Sequence, residues 1–204
     1  AVDCVTQYEI VATCERLSEA FLLPVLEQIL GGFPFVILGF HADNGSEYIN
    51  YTVAEMLDKL RIEFTKSRPR HSNDNGLAET KNGAVVRKHF GYEHIPQRFA
   101  AQVNTFCQDF LNPYVNFHRP CFFAETLTDS KGKIRKLYRQ KNMMTPYEKL
   151  KSLPKANDFL TSGSTFAELD SIANAFSDNE AAGRLNEART KLFRSIHHRS
   201  KHAA

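Results

Sequence analysis

"FPFVILGFHADNGSEY", residues 33–48, decides the fold. Its first half is a short, continuous apolar run, the pattern of a central strand covered on both faces of an α/β sheet. The run closes on Asp43 and an Asn-Gly pair, which is turn chemistry. In open α/β sheets the C-terminal end of such a strand is where ligands gather. Upstream, Gly31-Gly32 ends a helix expected over 19–30, with Ser18 as N-cap and apolar residues at 21, 22, 25, 26, 29 and 30. Pro24 lies inside it and either kinks the segment or marks a later start.

Further out, residues 5–14 (VTQYEIVATC) read as a strand, the second arm of a hairpin whose first arm holds Ala1 and Val2. Asn50 is placed to cap a helix over 51–60, and RIEFTKS (61–67) returns as a strand. The loop SRPRHSNDNG (67–76) leads into a helix over 77–89, where Gly83 signals close packing or a local bend. Residues 96–116 form a helix whose stripe of Phe99, Val103, Phe106, Cys107, Phe110, Leu111 and Tyr114 belongs in a core. DSKGKIRKLYRQK (129–141) reads as a basic hairpin turning at Ser130-Lys131-Gly132. Capping boxes at Thr145/Glu148, Thr165/Glu168 and Ser177/Glu180 open three helices, the last two expected to reach about 176 and 197. The chain thus divides into an α/β core (1–118), a basic linker or hairpin (119–145) and a helical extension (146–204).

Charge follows that division. Residues 1–128 carry 11 basic and 15 acidic groups and residues 129–204 carry 15 and 8, giving −4 and +7. A basic second half suits an anionic partner, or is simply a solvated helical face. The four cysteines lack zinc-finger or Cys-x-x-Cys spacing and read as reduced thiols. No apolar stretch approaches the roughly 20 residues needed to span a bilayer, and the start lacks signal-peptide character, so a cytoplasmic location is expected. The sequence enters a strand at Ala1 with no lead-in, so an N-terminal portion is expected upstream.

Asp43 and Glu79 are separated by 35 residues that hold a helix, a strand and a loop. That is enough chain to bring a strand end beside a helix start. Glu79 in a first helical turn is also favoured by the helix dipole alone. Two carboxylates brought together repel unless a cation neutralises them, and such hard oxygen donors suit Mg²⁺ or Mn²⁺. Lys66, Arg68, Lys81, Arg87 and Lys88 flank Glu79 in sequence, where they would meet phosphates or stay as ordinary exposed charges.

HADNGSEY with Asp43 and NDNGLAETKN with Glu79 resemble the second and third members of the Asp, Asp, 35-residue, Glu signature of retroviral-type integrases and bacterial insertion-sequence transposases. The run SRPRHSNDNGLAETKNGAVVRKHFGYEHIPQR is similar to the bacterial members, as are NFHRPCFF and MTPYEKLKSLP. The resemblance covers roughly residues 1–118 and implies a ribonuclease H-like mixed sheet flanked by helices, with its first strand upstream of Ala1, plus a basic, mostly helical C-terminal extension. It implies two divalent ions about 3.5–4 Å apart, one held by Asp43 and one by Glu79, with an upstream Asp bridging them. Asp3 is the one candidate for that Asp within the sequence, but it falls on the stretch matching the second strand. The resemblance further implies DNA cleavage and strand transfer at mobile-element ends, by a homo-multimer. Arg70 and Asn75 match positions that contact DNA ends, and Ser46 matches a target-DNA contact. Gly83 and Val86 stand where retroviral enzymes carry end-binding lysines, so end recognition differs.

Two rival readings stand beside this one: a non-catalytic DNA-binding remnant, and a ribonuclease on the same fold. His41 reads as a core histidine or a carboxylate orienter, His71 as a loop residue or phosphate contact, and IHHRSKH (196–202) as a basic helix end or a metal tract.

Overall fold

The computed structural model describes residues 1–16, 18–42, 51–68 and 72–201. Helix α1 (Glu19–Gly31) runs straight through Pro24, so the proline does not delay its start. Its buried Leu22 and Leu26 pack with Val53 and Leu57 of α2 (Tyr51–Lys59) and with Ile62. Between and after these helices come strands β1 (Gly39–Ala42) and β2 (Glu63–Lys66), paired in parallel from Gly39 opposite Glu63 to Ala42 opposite Lys66. A parallel pair needs a crossover, and α2 lies in it.

The expected strand covered on both faces is corrected here. Val36 and Leu38 are 52% and 74% exposed, and among the described residues no strand lies along the second edge of β1. Just upstream, an isolated antiparallel bridge joins Phe35 to Leu160. The run is covered on the side of Phe35 and Ile37, which join the core clusters, while among the described residues no core cluster takes in Val36 or Leu38 on the other side.

Residues 5–14 do not form the expected strand either. Asp3 Oδ2 accepts from the amides of Val5 and Thr6 and from the Thr6 hydroxyl, which turns the chain sharply. The expected hairpin survives as one bridge, Val2 to Glu9. The extended segment beyond it pairs with side chains instead of a strand. Asn116 bonds both the N–H and the C=O of Glu9 at 2.7 Å, Asn112 those of Val11 at 2.9 and 3.2 Å, and Asn104 those of Thr13 at 2.8 Å. Three amides on one helical rod thus do the work of a ladder and leave no buried backbone group on alternate residues unmet.

That rod follows α3 (Gly76–Lys81), a wide π-type stretch at Asn82–Arg87 and α4 (Lys88–Phe90). Gly83 falls in the π-type stretch with open space where a Cβ would lie, so it marks the local distortion and not a close approach. The rod itself comprises α5 (Ala100–Phe106) and continues through further π-type turns to His118. Its predicted stripe is core: Phe99, Val103, Phe106, Cys107 and Leu111 are buried.

A hairpin of β3 (Cys121–Thr128) and β4 (Ile134–Met144) follows, turning through Gly132 at φ +77°. Its first arm begins earlier than the basic run suggests. Helices α6 (Pro146–Lys151) and α7 (Phe166–Ala173) open on complete capping boxes, and Ser177 and Glu180 bond reciprocally at the start of α8 (Asp178–Lys201). α7 stops short of the expected 176 and α8 passes 197. Leu185, Leu192 and Ile196 of α8 close over Val103, Phe106 and Leu111, so the C-terminal helices share a core with the first half. All four cysteines are free thiols. The architecture is mixed α/β, mostly helical, with two small two-stranded sheets, and no described helix is long and apolar enough to cross a membrane.

Candidate active site

The C-terminal end of β1 and the N-terminal end of α3 are joined by one buried hydroxyl. Ser67, just past β2, donates its amide to Ala42 O at 3.0 Å and its Oγ to the same oxygen at 3.4 Å. Its Oγ accepts from Asn75 Nδ2 at 2.6 Å and lies 3.2 Å from His41 Nε2. The other ring nitrogen of His41, Nδ1, lies 2.9 Å from Thr65 Oγ1. His41 is exposed and satisfied by two hydroxyls, which places it outside the core.

The consequence is positional. Ala42 is the residue before Asp43, and Asn75 is the residue before α3, whose first turn carries Glu79. The Ser67 network therefore joins the residue before Asp43 to the residue before the helix that carries Glu79. Asp43, Ser46, Arg70 and His71 lie outside the described residues. Glu79 is exposed, and no described cation lies within ion-pair distance of it. Among the described residues no group of three or more His, Cys, Asp or Glu side chains is placed to share a metal ion, the His197/His198 end of α8 included. Asp3 Oδ2 is engaged by three donors in its own turn.

The cations divide into two sets. Lys66 and Lys88 are exposed with their ammonium groups free of described acidic partners, and Arg87 lies 5.6 Å from the Tyr92 ring with its charge equally uncompensated. Arg68 forks onto Asp74, Nε to Oδ2 at 3.0 Å and Nη2 to Oδ1 at 2.8 Å, and its amide bonds Oδ2 at 3.1 Å. The hydrogen bonds and charge of Asp74 push the Arg68 pKa further up, and the pair braces the loop before α3.

Lys81 departs from its expected place on the outer surface. Its side chain is turned inward, only 7% of the residue is exposed, and its Nζ sits 3.8 Å from Glu9 Oε2 and 3.2 Å from Cys121 Sγ. Burial holds the Glu9 carboxyl above the ordinary range, with Lys81 acting in the opposite sense, and Glu9 Oε2 has no hydrogen-bond partner. The inward turn sets the ammonium beside this acid, and a buried carboxyl is costly to ionise without a nearby cation. Glu9, Ser67 and Asp74 all escaped the sequence reading. Glu9 alone left a sign, an acidic residue set between the apolar Tyr8 and Ile10.

No family model matches the chain. Over 121 residues it is 30% identical to the uncharacterized protein y4rM of Sinorhizobium fredii (strain NBRC 101917 / NGR234), a stretch covering 59% of this chain and 35% of that protein. The matched region thus spans about a third of the relative's length.

Proposed function

We propose that the chain is part of a metal-dependent DNA integrase or transposase with a ribonuclease H-like catalytic core, cutting and joining DNA strands at mobile-element ends. The observation that carries the reading is the Ser67 network, because it ties the residue before Asp43 to the residue before the Glu79 helix. An exposed carboxylate on Glu79, without a cationic partner among the described residues, fits a hard divalent cation, Mg²⁺ or Mn²⁺, and Asp43 would supply the second oxygen donor. Two such ions, when bound, polarise the scissile phosphate and activate the attacking oxygen. The chain's own residues do the rest. Ser67 and Asn75 hold the two carboxylate-bearing ends in place, while Lys66, Arg87 and Lys88 meet the phosphates that the carboxylates would repel. Arg70 and Ser46 join them on the same reading. The third acid would come from a strand laid along the open edge of β1, and a homo-multimer would hold two DNA ends.

The test is Mg²⁺-dependent cleavage and joining of duplex DNA ends by the full-length protein. Asp43→Asn and Glu79→Gln are expected to abolish both steps while leaving DNA binding intact. Normal cleavage by either variant refutes the reading. One rival is a DNA-binding remnant without catalysis, and an unaltered protein that binds DNA yet never cuts it selects that rival.

A further inference from the structure

The β3–β4 hairpin projects as an arm with solvent on both faces. Its outer part pairs Ala124 with Tyr138 through Thr128 with Ile134, and nearly every side chain there is exposed. Toward the root the register shifts between Phe122 and Ala124, leaving extra residues on β4. A lone two-stranded hairpin is marginal in water, and this one leaves Ile134 66% and Tyr138 59% exposed. The root is fixed. Gln7 Nε2 donates to Phe122 O at 2.9 Å, and Cys121 meets Lys81 of α3, so the arm springs from beside the helix that carries Glu79.

Six cations and two acids lie between Cys121 and Met144. Glu125 takes Arg139 at 3.2 Å and Lys141 at 3.1 Å, and Asp129 takes the backbone amides of Lys131 and Lys133, both at 2.9 Å. The charges of Lys131, Lys133, Arg135 and Lys136 are left without a described acidic partner. Strand alternation puts Arg135 on the face of Leu127 and Leu137, and Lys136 on the face of Thr126, Ile134 and Tyr138. Each face therefore mixes a cation with apolar surface.

That mixing decides the partner. An element lying on an anionic membrane segregates apolar and basic residues to opposite faces, whereas a ribbon in a groove sets one face on the base edges and its edges and turn between phosphate rows, where long cationic side chains from either face can reach. The DNA major groove is wide enough for a two-stranded ribbon and has a phosphate row on either side.

We propose that the arm inserts into a groove of duplex DNA, with Lys131, Lys133, Arg135 and Lys136 on phosphates and the Thr126, Ile134 and Tyr138 face turned to base edges. The inference rests on the DNA-acting reading above and adds to it a named binding element outside the carboxylate site.

The experiment measures binding of fluorescent duplex DNA by anisotropy across a salt series, with the full-length protein, Glu79→Gln, and a variant carrying Lys131→Gln, Lys133→Gln, Arg135→Gln and Lys136→Gln. All four sites are exposed, so circular dichroism and the melting temperature should not change. The fourfold variant is expected to lose about three to four from the slope of log K against log salt, since each phosphate contact contributes about 0.9. Unchanged slope and affinity overturn the arm while the catalytic reading stands. Loss of slope in the fourfold variant, with normal cleavage by Glu79→Gln, upholds the arm and removes the catalytic reading. An unaltered protein that ignores duplex DNA but binds phosphatidylglycerol vesicles, or an acidic protein, through these four residues overturns the arm's assignment to DNA.

Discussion

Replacing Lys81 by Met separates the structure's account of that residue from a surface one. The substitution keeps the bulk of the stem and removes the ammonium 3.8 Å from Glu9 Oε2. Both side chains are almost fully enclosed, so the stranded carboxylate cannot recover its hydration. Breaking one partner out of a buried pair costs about 3–5 kcal/mol. Protonation of Glu9 relieves part of this, and its carboxyl is already held high by burial. A carboxyl whose folded pKa is raised binds more protons folded than unfolded, so it lowers stability as pH rises through that interval. Urea denaturation should therefore show the Lys81→Met deficit at pH 7 and a smaller one at pH 5. Adding Glu9→Met should restore most of the loss, because a well-packed apolar pair of similar volume often matches a buried ion pair. DNA binding supplies the contrast: a phosphate-contacting lysine would take about one unit from the salt slope when removed, whereas Lys81→Met should leave the slope unchanged. A stability change under about 0.5 kcal/mol, joined to a reduced slope, would show that Lys81 faces solvent and that the pairing with Glu9 is wrong.

Two further outcomes follow from the same interior. Asn116→Ala leaves the amide and carbonyl of buried Glu9 without partners, at about 1–3 kcal/mol for each group, whereas Asn104→Ala should cost less, since Thr13 is half-exposed and water can replace the amide; urea midpoints of the two variants rank them, and equal losses would argue against the ladder. Burial, with Lys88, Arg189 and Arg119 adding to it, lowers the His89 pKa from 6.5 to about 4, so between those values the unfolded chain binds more protons than the folded one. Stability should then fall as pH drops through that window, by at most about 3 kcal/mol, and His89→Gln should flatten the profile measured by thermal melts.

What the sequence disclosed, and what it withheld, follows from the range of the forces involved. Helices were legible because their signals are local: α1 and α2 fall within a residue of the periodic stretches that mark them, and both complete capping boxes sit on the predicted threonines. The start of the helix that carries Glu79 was legible for the same reason, as a loop before a helix. Residues 5–14 misled because β-branched and aromatic content registers only that a backbone is extended. Which groups satisfy that backbone is decided about 100 residues away, by three asparagines. Their positions, 104, 112 and 116, all fall near one face of a helix, and polar amides grouped beside an apolar stripe are the sign that was there to be read. No comparable sign exists for Lys81. A cation two places after Glu79 looks like a surface charge until the fold sets Glu9 opposite it.

β1 presents the reverse case, a segment whose sequence asks for more cover than the described fold provides. The apolar run leading into it reads as a strand enclosed on both faces, yet Val36 and Leu38 meet solvent and the outer edge of β1 is unpaired among the described residues. An apolar edge of that kind invites another strand, since its amides and carbonyls are a template and its side chains gain from burial. β2 already occupies the other edge, and the Phe35 to Leu160 bridge holds the backbone just upstream. A strand added along the open edge would extend the pair into a sheet, bury Leu38, and run beside the end of β1 where Asp43 follows. On the proposed reading a third acid carried by such a strand would stand beside Asp43.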